Sequence, residues 1–316
     1  MDRLELTILG ASSAIPLANR NPTSQFLTLA SHHFLIDCGE GTQVRLRENN
    51  IGFSRIDKIF ISHLHGDHFF GLAPLLSTLH LLDRQKEIHI YSPKGLKEVI
   101  HAQMKLQGSW LKYPVIFHNL NPNEEEVIFE DERVSVKAFP LRHSIPCFGF
   151  WFREKERPRK MLKSAIEQYS IPVTEIRQIK KGSDWVDEQG NLIPNRDLTE
   201  SPAASLSYAY CTDTSPLEHL NQFIDSPDLL YHEATFMEEH AERAAQTYHS
   251  TARQAASVAK SVNARQLMVG HFSIRYNDLN PLLDEAKEVF PNTILAKDGQ
   301  TYALRSSHEE LVPLAR

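Results

Sequence analysis

The N-terminal part of the chain alternates apolar and polar residues in short runs that predict β-strands. Leu4–Leu9 alternates with a period of two, and after a polar loop Gln25–Leu29 and His33–Asp37 have the pattern of a hairpin pair. A helix is predicted at Lys94–Lys105, just after a proline. Three further apolar runs predict strands, namely Lys58–Ser62, Glu87–Tyr91 and Val134–Phe139.

The same succession of strands and helices returns in the C-terminal part. Thr251–Val262 is predicted as a helix whose first turn carries a capping box of Thr251 and Gln254, and Pro281–Val289 as a second helix. Strands are predicted at Tyr208–Cys211, Leu229–Tyr231, Gln266–Val269 and Thr293–Ala296. Mixed strands and helices with several antiparallel signals favour a layered α/β sandwich, built as one domain over residues 1–316.

The segment 153–202 differs in character from the rest of the chain. It is charged, contains four prolines (Pro158, Pro172, Pro194 and Pro202) and has few apolar runs. We interpret it as an arm inserted into the domain, helical near Lys160–Tyr169 and not part of a core.

The overall composition is that of an ordinary globular protein. With 316 residues and 41% hydrophobic residues, the chain is long enough to bury a sizeable core. No apolar run is long enough to span a bilayer. The N-terminus, Met1–Glu5, lacks the basic start and apolar stretch of a signal peptide. These features predict a cytoplasmic protein with no membrane partner.

The chain has three cysteines, Cys38, Cys147 and Cys211, and no two of them form a CxxC pair. Neither a disulfide framework nor a thiolate zinc site is therefore indicated. We expect them to be small, buried residues.

The charge of the chain is unevenly distributed. The formal net charge is −6, which alone argues mildly against a nucleic-acid partner. Between Trp151 and Lys181, however, nine Lys or Arg residues stand against four acids, a local net charge of +5. A basic segment on an acidic body is a candidate surface for a polyanion, although a solvated helix face is the ordinary alternative.

The densest chemical signal is the hexapeptide His63-Leu64-His65-Gly66-Asp67-His68, which directly follows the strand predicted at Lys58–Ser62. Imidazole nitrogens and carboxylate oxygens are preferred ligands of borderline cations such as zinc. Gly66 permits a tight bend there. One metal rarely uses four ligands so close in sequence, so the cluster predicts two adjacent metals.

Three more candidate ligands repeat one arrangement, in which an apolar strand is followed by a polar residue. His143 follows the strand Val134–Phe139, Asp213 follows Tyr208–Cys211, and His271 follows Gln266–Val269. Each alone would be read as an ordinary residue. Because α/β proteins gather functional groups at the rim where strands end, the repetition favours all three as ligands.

Taken together, these motifs resemble those of a known family. The HxHxDH segment with a later His, Asp and final His is the metal signature of the metallo-β-lactamase superfamily. Narrower matches resemble ribonuclease Z: they are Leu9-Gly10 with Pro16, Arg20 and Asn21, then Asp37-Cys38-Gly39-Glu40-Gly41-Thr42-Gln43, Cys211-Thr212-Asp213-Thr214, His232-Glu233-Ala234-Thr235, His249-Ser250-Thr251 and Gly270-His271-Phe272-Ser273-Ile274-Arg275-Tyr276. They cover nearly the whole chain.

The resemblance implies a four-layer αββα sandwich of the metallo-β-lactamase fold with an inserted flexible arm, and two zinc ions per subunit. One zinc would be held by His63, His65 and His143, the other by Asp67, His68 and His271, with Asp213 bridging them. Two metals that share a hydroxide provide a nucleophile at neutral pH for attack on a phosphodiester. Asp67 would also orient that nucleophile.

The remaining catalytic roles follow from the same resemblance. His249, paired with the carboxylate of Glu233, would protonate the leaving oxygen, and Arg275 would contact the phosphate. The expected activity is removal of the 3′ trailer of precursor tRNA, with a 3′-hydroxyl left on the tRNA and a 5′-phosphate on the trailer. Asp37 and the Gly39–Gly41 turn are expected to be architectural.

The arm would be the second contact with the substrate. Enzymes of this family grip the tRNA elbow with such an arm, and the basic residues expected to bind it here are Arg153, Lys155, Arg157, Arg159 and Lys160. Such arms often contain a Gly-Pro element, whereas this segment has Ile171-Pro172 and Lys181-Gly182. The resemblance also implies a homodimer in which the arm of one subunit presents RNA to the site of the other.

Two alternatives remain open at this stage. One is another hydrolase or phosphodiesterase of the same fold that acts on a small molecule; the basic arm, Glu233 and His249 count against it. The other is a zinc-containing binding protein without turnover, against which the complete ligand set and acid pair argue.

Overall fold

The computed structural model describes residues 4–106, 108, 111–305 and 311–314. The strands are β1 Leu4–Gly10, β2 Ser24–Leu29, β3 His32–Ile36, β4 Lys58–Phe60, β5 Ile88–Ser92, β6 Val115–Asn119, β7 Glu126–Glu130, β8 Val134–Leu141, β9 Cys147–Glu154, β10 Lys160–Met161, β11 Trp185–Val186, β12 Leu192–Ile193, β13 Thr199–Glu200, β14 Ser207–Cys211, β15 Leu229–Glu233, β16 Leu267–Gly270, β17 Thr293–Leu295, β18 Thr301–Leu304 and β19 Val312–Pro313. The α-helices are α1 Thr42–Glu48, α2 Gly66–Phe69, α3 Leu72–Leu81, α4 Leu96–Leu106, α5 Lys163–Gln168, α6 Val173–Lys180, α7 Asn195–Leu198, α8 Ala241–Gln246, α9 Ala252–Ser261 and α10 Asn280–Val289.

Two large sheets form the centre of the main unit, which consists of residues 1–153 and 206–316. Over the described residues, the strand order is β19-β18-β1-β2-β3-β4-β5-β6 in the first sheet and β17-β16-β15-β14-β9-β8-β7 in the second. In each sheet one half is parallel, β3 to β6 in the first and β14 to β17 in the second. Parallel neighbours place their carboxyl ends at the same edge, which positions the site described below.

Strand alternation divides the apolar side chains between two faces. Leu4, Leu6 and Ile8 of β1 belong to the core between the sheets, where Phe34 and Phe152 meet with ring centroids 5.1 Å apart. The intervening positions face outward: Leu9, Leu35 and Ile59 belong to a second cluster, which packs against α1, α3 and α4.

The second sheet is covered in the same way by α9 and α10. The face of α9 toward the sheet is made of small residues, Ala255, Ala256 and Ala259, which let the helix approach closely. Helices, two sheets and helices therefore form the four-layer αββα sandwich that the sequence predicted. Thr251 caps α9 with both bonds of the predicted capping box.

The segment Glu154–Ser205 forms a compact unit of its own. The helix expected near Lys160–Tyr169 is present as α5, but α6 and α7 were not predicted. The expectation that the segment takes no part in a core is wrong, because its apolar residues are spaced singly yet converge in a small cluster: Ala165, Ile171, Ile179, Trp185, Ile193 and Leu198.

All three cysteines are buried and free, as expected. Among the described helices, none is both long enough and apolar enough to cross a lipid bilayer.

Candidate metal centre

The carboxyl ends of the parallel strands bring the predicted ligands together. His63 lies beyond the end of β4, Asp213 beyond β14 and His271 directly after β16, while Glu233 is the last residue of β15. Strands β14, β15 and β16 are adjacent and parallel. Although Asp213, Glu233 and His271 are far apart in sequence, the second sheet places them along one edge, and His63 comes from the end of β4 in the first sheet.

His63, His65, His143 and Asp213 form the first group of donors, with one donor atom of each within 4.8 Å of the others. The Nε2 of His63 is 3.1 Å from the Nδ1 of His65, which is 3.2 Å from the Nε2 of His143. The Oδ2 of Asp213 lies 3.6 Å from the Nε2 of His63. Four donor atoms thus surround one point.

Asp67, His68 and His271 form the second group, with the same mutual approach. The Oδ1 of Asp213 lies 3.4 Å from the Nε2 of His68 and 3.2 Å from that of His271. Asp213 therefore turns one oxygen toward each group.

The donor set fits a cation. The Nε2 atoms of His68 and His271 are buried and have no hydrogen-bond partner among the described residues. Buried polar atoms without partners are costly, and imidazole nitrogens with carboxylate oxygens are the ligands that zinc prefers. The cluster is thus a site able to hold metal.

The electrostatics of the cluster support the same conclusion. Burial lowers the pKa of His63 well below its usual range, which keeps its nitrogen available as a ligand. Burial also opposes a charge on His68, but the nearby carboxylates, Asp213 and Asp67 foremost, outweigh it and raise the pKa of that imidazole. A position that attracts a proton this strongly also attracts a metal ion.

Gly66 has a role different from the one expected. Its φ is not in the left-handed region, so the bend itself does not require glycine. A Cβ at this position would instead lie 2.2 Å from the ring of Phe70. Glycine therefore leaves room for the exposed ring of Phe70 at the start of the short helix α2, which carries Asp67 and His68; a larger residue would require that ring to move.

A second layer of contacts fixes the imidazoles. Asp37, fully buried, accepts a hydrogen bond from the Nδ1 of His68 at 2.8 Å and from the amide and hydroxyl of Ser62. The Oγ1 of Thr235 lies 2.8 Å from the Nδ1 of His271. The carbonyl oxygen of Tyr248 lies 3.2 Å from the Nδ1 of His143. Each contact leaves Nε2 to face the cluster.

His249 and Glu233 lie beside the metal cluster and form the predicted pair. The Nδ1 of His249 is 2.8 Å from the Oε1 of Glu233, whose other oxygen accepts from Thr235. Burial disfavours a charged His249, but the charge of Glu233 and this hydrogen bond outweigh it and raise the pKa of His249 to about 9. The imidazole is thus poised as a proton donor at neutral pH.

An open cavity of about 660 Å³ gives access to the cluster. Its lining includes Asp67, His249 and Arg275. The guanidinium of Arg275 is exposed and lies 5.1 Å from the centre of the Phe236 ring. Arg275 is therefore at the mouth of the cavity, where a phosphate would enter.

The predicted basic residues of the arm region have mixed surroundings. Arg153 lies over the ring of Trp151 at 4.5 Å, Arg157 is bonded to Glu154, and Lys160 lies 3.6 Å from Glu200. Arg159 donates to Thr199. Lys155 also interacts with another group of the chain.

Two residues outside the predicted set, Lys180 and Lys181, share with Arg157 and Arg159 the lining of a 620 Å³ cavity in the unit 154–205. The unit as a whole is not basic, since nine Lys or Arg residues are matched by nine acids. Its positive charge is concentrated in residues 155–181, and the acids of residues 184–200 balance it.

Sequence reasoning missed the supporting roles of Thr235 and Tyr248, whereas Asp37 was expected to be architectural and does support His68. Thr235 and Tyr248 act through contacts with distant residues that no local sequence pattern indicates.

Comparisons with known proteins identify relatives of this chain in sequence and in fold. A family model described as Anti-Pycsar protein Apyc1 matches residues 4–165. The ribonuclease Z of Bacteroides fragilis (strain YCH46) is 47% identical over 304 residues, which cover 96% of this chain and 100% of that protein. Among solved structures, the human tRNase Z, short form, is similar with a TM-score of 0.69 and 29% identity, over 94% of this chain and 98% of that one. The metallo-β-lactamase fold protein YhfI from Bacillus subtilis shares the fold, with a TM-score of 0.67, 17% identity, and coverage of 95% and 99%.

Proposed function

This chain belongs to the ribonuclease Z family, with residues 4–165 also matching the Anti-Pycsar protein Apyc1 family, and we propose that it is a zinc-dependent endoribonuclease that removes the 3′ trailer of precursor tRNA. Relatives with this name match it over nearly their whole length, and human tRNase Z is similar in structure. The observation that carries the proposal is one cavity lined both by residues of the His/Asp cluster and by His249, whose imidazole is bonded to the buried Glu233 behind it. A metal cluster alone would suit many hydrolases, whereas the added acid pair suits a poor leaving group.

Two zinc ions per subunit would occupy the cluster. His63, His65 and His143 would hold one, Asp67, His68 and His271 the other, and Asp213 would bridge them, because its two oxygens face the two groups. When bound, the ions supply a nucleophile at neutral pH and stabilise the negative charge of the transition state. Asp67, at the cavity wall, would also orient the attacking water.

His249 would act as the general acid. When the nucleophile attacks phosphorus, the bond between phosphorus and the 3′ oxygen of the tRNA breaks. That oxygen needs a proton because it would otherwise leave as an alkoxide. Glu233 holds the Nδ1 side of the imidazole at 2.8 Å, which leaves Nε2 to give up its proton to the leaving oxygen. The products are a 3′-hydroxyl on the tRNA and a 5′-phosphate on the trailer.

Binding of the RNA would use two positively charged regions. Arg275 at the cavity mouth would contact phosphate near the cut, and the cations of the arm region, Arg153, Lys155, Arg157, Arg159 and Lys160, would contact the backbone at a distance from it. We further propose a homodimer in the cytoplasm, in which the arm of one subunit serves the site of the other.

The test is a cleavage assay on a precursor tRNA that carries a 3′ trailer, with and without a chelator, with mapping of the product ends. A single cut beside the discriminator base that leaves a 3′-hydroxyl and is abolished by chelation would support the proposal. Absence of this cut, with metal-dependent hydrolysis of a small phosphodiester, would mean a hydrolase of another substrate class. Zinc measured at two equivalents per subunit would support the proposed ligand sets.

A further inference from the structure

Tyr248 stands at the mouth of the cavity, between the metal cluster and the acid pair. Its side chain is 40% exposed and contributes to the lining of the cavity. The next residue is His249, and the carbonyl of Tyr248 lies 3.2 Å from the Nδ1 of His143. The backbone at this position is therefore tied to the site on both sides.

The backbone conformation makes tyrosine an unexpected residue here. Its φ is +57°, in the left-handed region that glycine adopts at no steric cost. The contact with His143 uses only the main chain, so glycine would preserve it. The side chain is 40% exposed, and no hydrogen bond to its hydroxyl occurs among the described residues. Tyr248 directly follows the C-cap of α8, and the amide of His249 donates to the carbonyl of Ala244, so the left-handed φ belongs to an ordinary helix C-terminus that does not itself require the tyrosine ring.

The surroundings of the ring suit a nucleotide. Arg243 and Arg275, both exposed, line the same cavity and would face the phosphates of a bound strand. Exposed aromatic rings beside cationic side chains are the usual platform for unpaired bases, because every base has a face that can stack. The cut lies in such an unpaired region, at the 3′ end of the tRNA.

We propose that the ring of Tyr248 stacks on the nucleobase next to the scissile phosphate and holds the strand in register over the metal cluster. This role rests on the proposed function. It makes Tyr248 a binding residue for the nucleotide at the cut, separate from the arm that contacts the RNA elsewhere.

The first experiment compares Tyr248→Gly with Tyr248→Phe in the full-length, zinc-loaded protein. Tyr248→Gly removes the ring but keeps the carbonyl that contacts His143, so zinc content should remain that of the wild type. The KM for precursor tRNA should rise on the order of ten-fold, the range expected for loss of one stacked base. Tyr248→Phe, which keeps the ring, should restore a KM close to that of the wild type. Asn263→Gly is the matched control, since Asn263 is exposed, has a φ of 53° and does not line the cavity.

The second experiment repeats the comparison on precursor tRNAs that lack one base, either at the discriminator position or at the first trailer position. If Tyr248 stacks on one of these bases, the substrate that lacks this base should have the same KM with Tyr248→Gly as with the wild type. The substrate that lacks the other base should still show the difference in KM. An equal loss on intact and both abasic substrates would overturn the inference, as would an unchanged KM on the intact one. Failure of the wild-type protein to cleave any precursor tRNA is a different result, which would overturn the proposed function and this inference with it.

Discussion

At the residue scale, the candidate centre depends on groups that stand behind the imidazoles. Asp37 is fully buried, and its Oδ2 accepts from His68, Ser62 and Tyr210. In Asp37→Asn an NH₂ group, which cannot accept a hydrogen bond, replaces one carboxylate oxygen. The contact that orients the imidazole of His68 is therefore weakened. We expect zinc affinity to fall about 10- to 100-fold, measured by competition with a chelator. Asp57→Asn, which alters a carboxylate paired with Lys86 at the surface, is the control, and equal affinities in both variants would contradict the role given to Asp37.

His249 is expected to be needed for turnover but not for metal. His249 lies close enough to Asp213 and His271 to be a ligand as well, but its Nδ1 is bonded to Glu233; if it acts as the acid, His249→Ala should keep its zinc and lose activity on precursor tRNA by about 10²- to 10⁴-fold. Asp213→Ala provides the comparison, since loss of the bridging carboxylate should lower the zinc content at both positions. Zinc analysis and cleavage rates on the same preparations check both expectations. Loss of zinc from His249→Ala would make that residue a ligand.

The Glu233–His249 pair should also give the metal-free protein a pH-dependent stability. The folded-state pKa of His249, about 9, is above the unfolded value near 6.5, so protonation stabilises the fold. This contribution, on the order of 3 kcal/mol, is complete below pH of about 6.5 and is lost as the pH rises through about 9. The free energy of unfolding of the wild type should therefore exceed that of Glu233→Gln at pH of about 6, and the difference should shrink as pH rises toward 10.

Urea titrations of the chelated proteins across that range provide the measurement. Glu87→Gln removes the partner of the partly exposed His89 and should show no comparable dependence, because exposed pairs contribute little. A difference between wild type and Glu233→Gln that is constant with pH would show that the pair does not hold a proton.

At this scale the sequence predicted the seven proposed ligands and the architectural role of Asp37, but not the supporting roles of Thr235 and Tyr248. The hexapeptide His63–His68 and the repeated arrangement at strand ends identified all seven proposed ligands, because both are local patterns. Thr235 and Tyr248 were missed because their roles depend on contacts with His271 and His143, which are 36 and 105 residues away along the chain. Only the folded sheet edge creates those contacts.

At the element scale, period-two patterns predicted strands where polar residues alternate with apolar ones, as Glu5 and Thr7 do in β1 and Ser135 and Lys137 do in β8. The strand β9 was missed because its residues are buried on both faces, so that apolar residues run without alternation through Cys147–Phe152. The helix α3 was not predicted either, because it is largely apolar and shows little amphipathic pattern. In the arm, α6 has only eight residues and a single buried one, Ile179, which is too little for periodicity to reveal.

The arm is expected to be dispensable for folding of the main unit but not for action on tRNA. Arg153 and Ser207 are directly opposite each other in the antiparallel pair β9–β14, so the chain can be closed there by an Asn-Gly turn in place of residues 154–206. The shortened protein should keep its zinc and its hydrolysis of a small phosphodiester, while cleavage of precursor tRNA should fall steeply. Unimpaired tRNA cleavage would contradict the role of the arm.

A milder change in the same element supplies the control. Lys180 and Lys181 line the cavity that also contains Arg157 and Arg159. Lys180→Ala and Lys181→Ala should weaken binding of precursor tRNA and each reduce the salt dependence of log KM by roughly one charge. The small phosphodiester, which does not reach the arm, should be unaffected.

At the scale of the whole molecule, the question is whether one chain supplies a complete enzyme. We expect arms to act across a homodimer, and a mixed dimer tests this directly. One subunit carries the arm deletion with an intact site, and the other carries His249→Ala with an intact arm. Each homodimer should be nearly inactive on precursor tRNA, whereas a mixed dimer purified through two different tags should regain about half of the wild-type activity, because one intact arm then serves one intact site.

The matched control pairs the arm-deleted subunit with a subunit that has both changes, which supplies no arm and should stay inactive. If the mixed dimer forms and remains inactive, each arm serves its own subunit. If the wild type has the mass of a monomer in solution at assay concentration, the dimer itself is wrong and the arm must act within one chain.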